Sequence, residues 1–297
     1  MRAFYSIWLK GVDQRRYAIF RIGFAILMLL HFACILPYAV SLLSHEGISP
    51  SSMSAIGFYE ITGGISVSIF NLITSPLLVK LAVLLAIIAC LLLISGKYSR
   101  TSLIYCFIIQ LSFIHRAPIS TTGWDTIITN ICLILIFSPL GESWGPKKLI
   151  KNRLQIDSVC ETPRYGLVLI QMQVFVIYWQ TVLQKMGDYY WANGESITYF
   201  LLSHHGRFSG QWPVNIHGLL DKINYLTLLT ELAIPILLWI SKTRKIGLVI
   251  GISFHVCIAA LGINLFLFSL TMIISYLAFL KPWEIGMGKY KNISQSN

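Results

Sequence analysis

Several stretches of this chain stay apolar for about eighteen residues or more, the length a helix needs to cross the roughly 30 Å hydrocarbon core of a bilayer. In that core every backbone N–H and C=O must be bonded within the segment, so uninterrupted runs of this length are read as helices. Charged residues make up 12% of the 297, about half of the ~25% usual in a soluble domain. A soluble enzyme, a disordered tail and a disulfide-rich secreted module are thereby excluded. Cys34, Cys90, Cys106, Cys132 and Cys257 fall inside apolar runs and Cys160 in a basic loop. Without paired spacing, neither a disulfide framework nor a metal site is expected. The expected fold is all-α, a polytopic transmembrane helical bundle whose first partner is the lipid bilayer.

The runs give about eight spans, near 17–43, 76–96, 101–116, 121–140, 166–186, 224–241, 244–261 and 263–280. They form one membrane domain over 17–280, with a polar and basic segment at 1–16 and a short polar tail at 281–297. The first run is too long for a signal-peptide core and lacks a small-residue cleavage site after it. The run 65–74 is too short to cross and is expected at the interface.

The basic residues supply an independent test. With the N-terminus inside, cytoplasmic segments hold Arg2, Lys10, Arg15, Arg16, Lys97, Arg100, Lys147, Lys148, Lys151, Arg153, Arg164, Lys242, Arg244, Lys245, Lys281, Lys289 and Lys291, 17 of the 23 Lys and Arg. Cytoplasmic loops of membrane proteins carry such an excess, and an odd number of spans breaks it here. Both termini are expected in the cytoplasm and the segment 187–223 outside. The net charge of +11 then has a topological origin, and no nucleic acid partner is expected. The bias fits a multi-pass protein of a bacterial inner membrane.

Ionisable groups at membrane depth are costly, about 2.5–3.5 kcal/mol on insertion scales, and so mark functional sites. Arg21, His31, His115, Arg116, Asp125, Lys185, Glu231 and His255 are such groups, and most fall in the outer half of their spans. Lys185 has two readings: an anchor whose ammonium snorkels to the outer interface, or a base formed where burial disfavours its charge. Asp125 either pairs with Arg116 across a short hairpin or belongs to a site. Glu231 either settles backbone freed by Pro235, four residues on, or takes part in chemistry. His31 and His255 read first as interhelical hydrogen-bonders, and Arg21 as a side chain snorkelling inward. Gln171, Tyr178 and Lys185 repeat every seven residues, drifting about 20° per step, and form one stripe. Gln173, Gln180 and Gln184 form a second stripe on nearly the opposite face, so this helix is expected to turn neither side to lipid.

The stretch IYWQTVLQKMGDYYWANG (177–194) resembles the core signature of the horizontally transferred transmembrane (HTTM) domain family, which includes the vitamin K-dependent gamma-carboxylases. The pattern is a tyrosine, a lysine seven residues later, then a tryptophan and glycine three apart: here Tyr178, Lys185, Trp191 and Gly194. FRIGFAILML (20–29), SHEGISP (44–50), HRAPISTTGWD (115–125), FSPLG (137–141), TELAIPILL (230–238) and ISFHVCIAALG (252–262) are similar to further segments of the family, in the same order.

The resemblance implies that Lys185 is the catalytic base that deprotonates reduced vitamin K or another quinol. It further implies quinol-linked carboxylase or epoxidase chemistry, a lyase or oxidoreductase, at the outer half of the bundle. His115, Arg116, Asp125, Tyr178, Trp191, Gly194, Glu231 and His255 are the substrate-binding candidates. Two departures matter. Gln184 stands where the animal-type carboxylases have the first lysine of a pair. The large lumenal domain that follows the membrane part in those enzymes is not expected, because the chain ends at Asn297. The alternative implied by the family is an auxiliary membrane protein for maturation or export of a secreted peptide of the sporulation-delay type, working with that peptide or a separately encoded partner.

Overall fold

A computed structural model describes residues 8–48, 51–73, 75–142, 144–146, 149, 161–208, 210–281 and 284. Most of the expected terminal segments, the basic residues Lys147, Lys148, Lys151 and Arg153, and Cys160 lie outside the described residues. The chain is mostly helical, and its contacts fall into two compact units, Met1–Gly166 with Leu280–Asn297, and Leu167–Phe279.

The first unit opens with strand β1 (Gly11–Asp13) and helix α1 (Arg15–Ile35). The Asp13 carboxylate accepts the Arg15 backbone N–H at 2.9 Å and pairs with its guanidinium at 2.6 Å, which starts the helix. Phe20, Phe24, Leu27, Met28, His31 and Ile35 are buried at intervals of three and four, one continuous helical face. Pro37 interrupts the helix with a 3₁₀ turn, Leu36–Tyr38, before α2 (Ala39–Leu43) continues it. Helix α3 (Ser51–Thr62) is followed by α4 (Pro76–Ser95), α5 (Ser99–Arg116) and α6 (Gly123–Ile136). Helix α1 packs on α4, α4 on α5 and α5 on α6. The buried face of α4 is built from small residues, Ala82, Val83, Ala86, Ala89 and Cys90. Its exposed face carries Leu77, Leu78, Leu81, Leu84, Leu85, Ile88 and Leu91. Large apolar groups outside and small ones inside is the arrangement of a helix solvated by lipid. Strand β2 (Glu161–Pro163) pairs antiparallel with β1.

Arg21 does not snorkel. It is fully buried and donates to the carbonyls of Leu140 at 2.8 Å and Trp144 at 2.9 Å, fixing the turn after α6 against α1. The reason is local supply: two carbonyls left over at a chain turn offer the guanidinium acceptors closer than water. The Sγ atoms of Cys90 and Cys106 are 3.6 Å apart and buried as free thiols. In the run 65–74, the described residues include only a 3₁₀ turn, Ile69–Asn71.

The second unit holds α7 (Tyr165–Met186), whose first two residues belong to the first unit, and the short helices α8 (Tyr189–Ala192), α9 (Ser196–Leu202) and α10 (Trp212–Asn215). It continues with α11 (His217–Trp239), α12 (Arg244–Leu261) and α13 (Phe266–Ser275), the last extended by a 3₁₀ turn, Tyr276–Phe279. Helix α9 packs on α11, α11 on α12 and α12 on α13. Arg207 donates to the carbonyls of Ala259, Ala260 and Gly262 at 2.9–3.0 Å. A cation there satisfies the leftover acceptors at the C-terminus of α12 and complements its dipole.

Among the described residues, five helical segments are long and apolar enough to cross a membrane: Arg15–Leu43, Pro76–Ser95, Tyr165–Met186, His217–Trp239 and Arg244–Leu261. Gly123–Ile136 and Phe266–Phe279 are shorter apolar helices. The sixth expected span starts seven residues early, at His217 rather than 224, and ends at Trp239. The polar stretch His217–Asn224 lowered the hydropathy without breaking the helix, because it holds no proline and none of its residues except Gly218 lies more than about 0.7 kcal/mol below alanine in helix propensity.

Candidate functional site

The seven-residue stripe of α7 faces into the second unit, and each member reaches another element. The Gln171 side-chain N–H donates to the Ala278 carbonyl at 2.8 Å. The Tyr178 hydroxyl is 2.7 Å from His255 Nε2 on α12 and is hydrogen-bonded to the Tyr276 hydroxyl. Lys185 Nζ donates to both oxygens of Glu231 on α11, at 2.6 and 2.8 Å. Glu231 therefore does not serve the backbone beside Pro235; its carboxylate is taken up by the nearest cation. The hydrogen bonds define two polar clusters, Lys185 with Glu231, and Tyr178 with His255 and Tyr276. All but Lys185 are buried, and Lys185 is 19% exposed in its side chain.

The loop after α7 is tied to α11 residue by residue. Asp188 accepts from the backbone N–H groups of Tyr190 and Trp191 at 3.0 and 3.1 Å, which starts α8. Asn224 donates to the Trp191 carbonyl at 2.9 Å, and Tyr225 to that of Ala192 at 2.8 Å. These bonds hold the Trp191 ring with Lys185 Nζ 4.4 Å from its centroid, a cation–π contact. Gly194 has φ +81°, and a Cβ there meets the Asp221 carboxylate at 1.7 Å. Two needs, a left-handed turn and close approach to α11, both select glycine.

Among the described residues, buried side-chain atoms of this unit without a hydrogen-bond partner include His255 Nδ1, Asn224 Oδ1 and Ser269 Oγ. Asn224, Tyr276 and Gly251 were absent from the sequence-based candidates. Asn224 stands one heptad before Glu231 and so shares its face, a signal present in the spacing. Gly251 leaves room for Tyr276, whose ring and hydroxyl come within 2.8–3.0 Å of a Cβ built at that position. Nothing in the sequence separates Tyr276 from an ordinary interfacial tyrosine.

The other three candidates belong to the first unit. Arg116 bonds the Ser44 carbonyl at 2.8 Å and the Ser54 hydroxyl, and does not pair with Asp125. Asp125 instead closes a capping box with Thr122, accepting its backbone N–H at 2.8 Å, and accepts from Gln110 at 3.2 Å. Helix capping outcompetes the pair because Asp125 is the third residue of α6, where its carboxylate meets the free N–H groups of the first turn. Gln110 Oε1 is 2.6 Å from His31 Nε2, so His31 is an interhelical hydrogen-bonder, as expected. His115 accepts the Val67 N–H at Nδ1, 2.9 Å away, and stacks on Phe58 at 4.1 Å.

The second glutamine stripe departs from expectation. Two of its three members, Gln180 and Gln184, are exposed, and Gln173 is half-buried. Among the described residues no group of three His, Cys, Asp or Glu side chains can hold a metal ion.

A helical chain with a charged pair and a phenol–imidazole cluster held between membrane-length helices defines an integral membrane protein. Residues 9–283 match the HTTM domain, and the chain belongs to that family. Among curated proteins, sporulation-delaying protein SdpB of Bacillus subtilis (strain 168) is 25% identical over 188 residues, 60% of this chain and 55% of the relative. The chain thus spans about half the length of the curated relative it matches. No solved structure gives a significant match.

Proposed function

We propose that the chain is a membrane-embedded enzyme whose Lys185 acts as a base toward a lipid-soluble quinol, with reduced vitamin K as the type. The reading includes eight spans with both termini in the cytoplasm of a bacterium. The observation that carries it is the Lys185–Glu231 pair, two hydrogen bonds of 2.6 and 2.8 Å between membrane-length helices. Removing two charges from water costs several kcal/mol per ion. Transfer of one proton from Nζ to Oε1 along the 2.6 Å contact removes both charges and leaves Nζ a free lone pair. A neutral amine in that position accepts a phenolic proton, giving ammonium and phenolate while Glu231 keeps the proton it took, so the pair acts as one proton-handling unit. Trp191, 4.4 Å from Nζ, stabilises the resulting cation. The pair itself fits a phenol, an amine beside a carboxyl group, and His255 Nδ1 is a further buried atom of the same unit without a hydrogen-bond partner among the described residues. The bound quinol supplies the reducing equivalents for oxygen-dependent epoxidation or carboxylation; the side chains hold, orient and exclude water.

A second reading follows from the similarity to SdpB, whose name attaches it to sporulation delay. In it, the chain assists maturation or export of a secreted peptide, and the same clusters serve only to hold the helices together.

The test is incubation of the full chain and its Lys185→Ala variant in nanodiscs with reduced vitamin K, oxygen and labelled bicarbonate. Epoxide or labelled glutamyl peptide from wild type, lost in the variant, is the expected result. No product from folded wild type with quinol present sinks the enzyme reading and leaves the peptide partner.

A further inference from the structure

Between α2 and α4 the chain exposes a band of large apolar side chains. Helix α3 buries Ser54 and Phe58 and leaves Met53, Ile56, Tyr59 and Ile61 58–63% exposed. The strip that follows continues the pattern, with Ile65 84%, Val67 66% and Leu72 83% exposed. From Ile48 to Ser75 the one charged residue is Glu60, and no Lys or Arg lies between Arg21 and Lys80. A contiguous apolar surface of this kind marks an interaction site.

Its position in the first unit says what covers it. Helix α5 runs back along α4, with Cys106 Sγ 3.6 Å from that of Cys90 and near the Ala86 carbonyl. The last turn of α5 therefore lies beside the first two turns of α4. Ser54 and Phe58, one turn apart on α3, meet Arg116 and His115, adjacent on α5. Helix α3 thus crosses the end of α5 instead of running beside it. The strip follows the same turn: Ser66 Oγ donates to the His115 carbonyl at 3.0 Å, and Ser68 Oγ to that of Ser112 at 2.9 Å. The band stands level with Leu77, Leu78 and Leu81, where the lipid-facing side of α4 begins, and runs into it along the chain.

The backbone bonding agrees. The N–H groups of Val67 and Ile69 are taken by His115 Nδ1 at 2.9 Å and Ser112 Oγ at 3.2 Å, and that of Phe70 by Ser68 Oγ at 3.2 Å. Irregular backbone at membrane depth needs such internal partners, because no water is there to serve it. A second copy of the chain fits less well, since a protein interface is bounded by a polar rim and this band passes without one into the leucines of α4.

We propose that residues 51–73 lie within one leaflet of the bilayer, with α3 along the membrane plane and its exposed side among the acyl chains. At 12 residues, about 18 Å long, α3 is too short to cross. In-plane helices of peripheral proteins set Lys and Arg against anionic headgroups; this one is held by apolar area and by its ties to α5. It draws on none of the side chains in the proton-handling pair.

The experiment places the photoreactive residue p-benzoylphenylalanine singly at Met53, Ile56, Ile65, Leu72, Phe58 and Leu84 of the full chain, in proteoliposomes of zwitterionic or anionic lipid. Mass spectrometry after illumination separates lipid adducts from cross-links between chains. Leu84, on the lipid-facing side of α4, is the reference. Lipid adduct at Met53, Ile56, Ile65 and Leu72 is expected within about twofold of it, and at Phe58, stacked on His115, about tenfold lower. The yields are expected to be equal in the two lipids. The four carrying positions are exposed, and unchanged tryptophan emission identifies folded variants. No adduct at these four beside a normal one at Leu84 overturns the proposal. A cross-link between two copies in place of the lipid adduct also overturns it and makes the band a dimer face. Adduct that forms only in anionic lipid overturns it too, and makes the band a headgroup-binding surface.

Discussion

Replacing Lys185 by Met and Glu231 by Leu, singly and together, tests whether the two side chains form one buried unit. At 2.6–2.8 Å their attraction is about 6 kcal/mol in an effective dielectric near 20, offset by a desolvation cost of several kcal/mol per ion. The intact pair should therefore add little net stability over apolar groups of similar size, while a lone survivor is expensive. Lys185→Met strands Glu231, whose side chain is 7% exposed, and is expected to cost about 3–5 kcal/mol. Glu231→Leu strands an ammonium that is 19% exposed and keeps the Trp191 ring at 4.4 Å. That contact returns about 0.5–2 kcal/mol, so this variant should lose only about 2–3 kcal/mol. The double variant is expected within about 1 kcal/mol of wild type, above both single variants. Equilibrium unfolding in mixed micelles at neutral pH, with helicity and tryptophan fluorescence as probes, measures all three. Losses that simply add in the double variant refute the pairing, since only coupled groups give a cycle of several kcal/mol.

Three further expectations follow from the same geometry. Gly251→Ala forces the Tyr276 ring aside, because a Cβ there comes within 2.9–3.0 Å of it. A loss of about 1–3 kcal/mol is expected for that overpacking, against about 1 kcal/mol for Tyr276→Phe, which gives up one hydrogen bond; thermal unfolding of both variants checks the order. Gly194→Ala combines φ +81° with a clash against Asp221 and should cost about 1–2 kcal/mol, with Gly194→Asn closer to wild type at the backbone; the same unfolding measurement decides. Arg21→Met strands the carbonyls of Leu140 and Trp144 and should cost about 3 kcal/mol, with faster hydrogen exchange at the Trp144 amide, whose bond to Gly141 lies in that turn.

The helices of this fold were legible wherever hydrophobicity decided them. The run at 76–96 became Pro76–Ser95, with proline at the start and Gly96 at φ +85° just past the end, the punctuation that such residues give a helix. Helices outside the apolar runs were not legible: α3 carries Gly57 and Ser51, Ser52 and Ser54, and it forms because Phe58 and Ser54 find cover, a tertiary effect. In the site, Lys185, Glu231, Tyr178 and His255 each stood out as polar groups at membrane depth. Their pairing did not, because partners 46 and 77 residues apart leave no periodicity in common. Arg116 and Asp125 misled for the opposite reason. Their short separation suggested an ion pair, but each found backbone or hydroxyl partners first.

The β1–β2 ribbon sets an order for assembly. Residues 11–13 leave the ribosome with the first helix, yet their partners, Glu161–Pro163, follow only after α6. Tyr17, fully buried, likewise donates to the Pro163 carbonyl at 2.8 Å. Until that stretch is made, the nascent first unit keeps an open strand edge and a buried phenol without its acceptor, two features that invite mispairing. The ribbon is thus a latch whose second half arrives last, and a chain released before residue 163 should be a substrate for membrane quality control, while one released just after it can close.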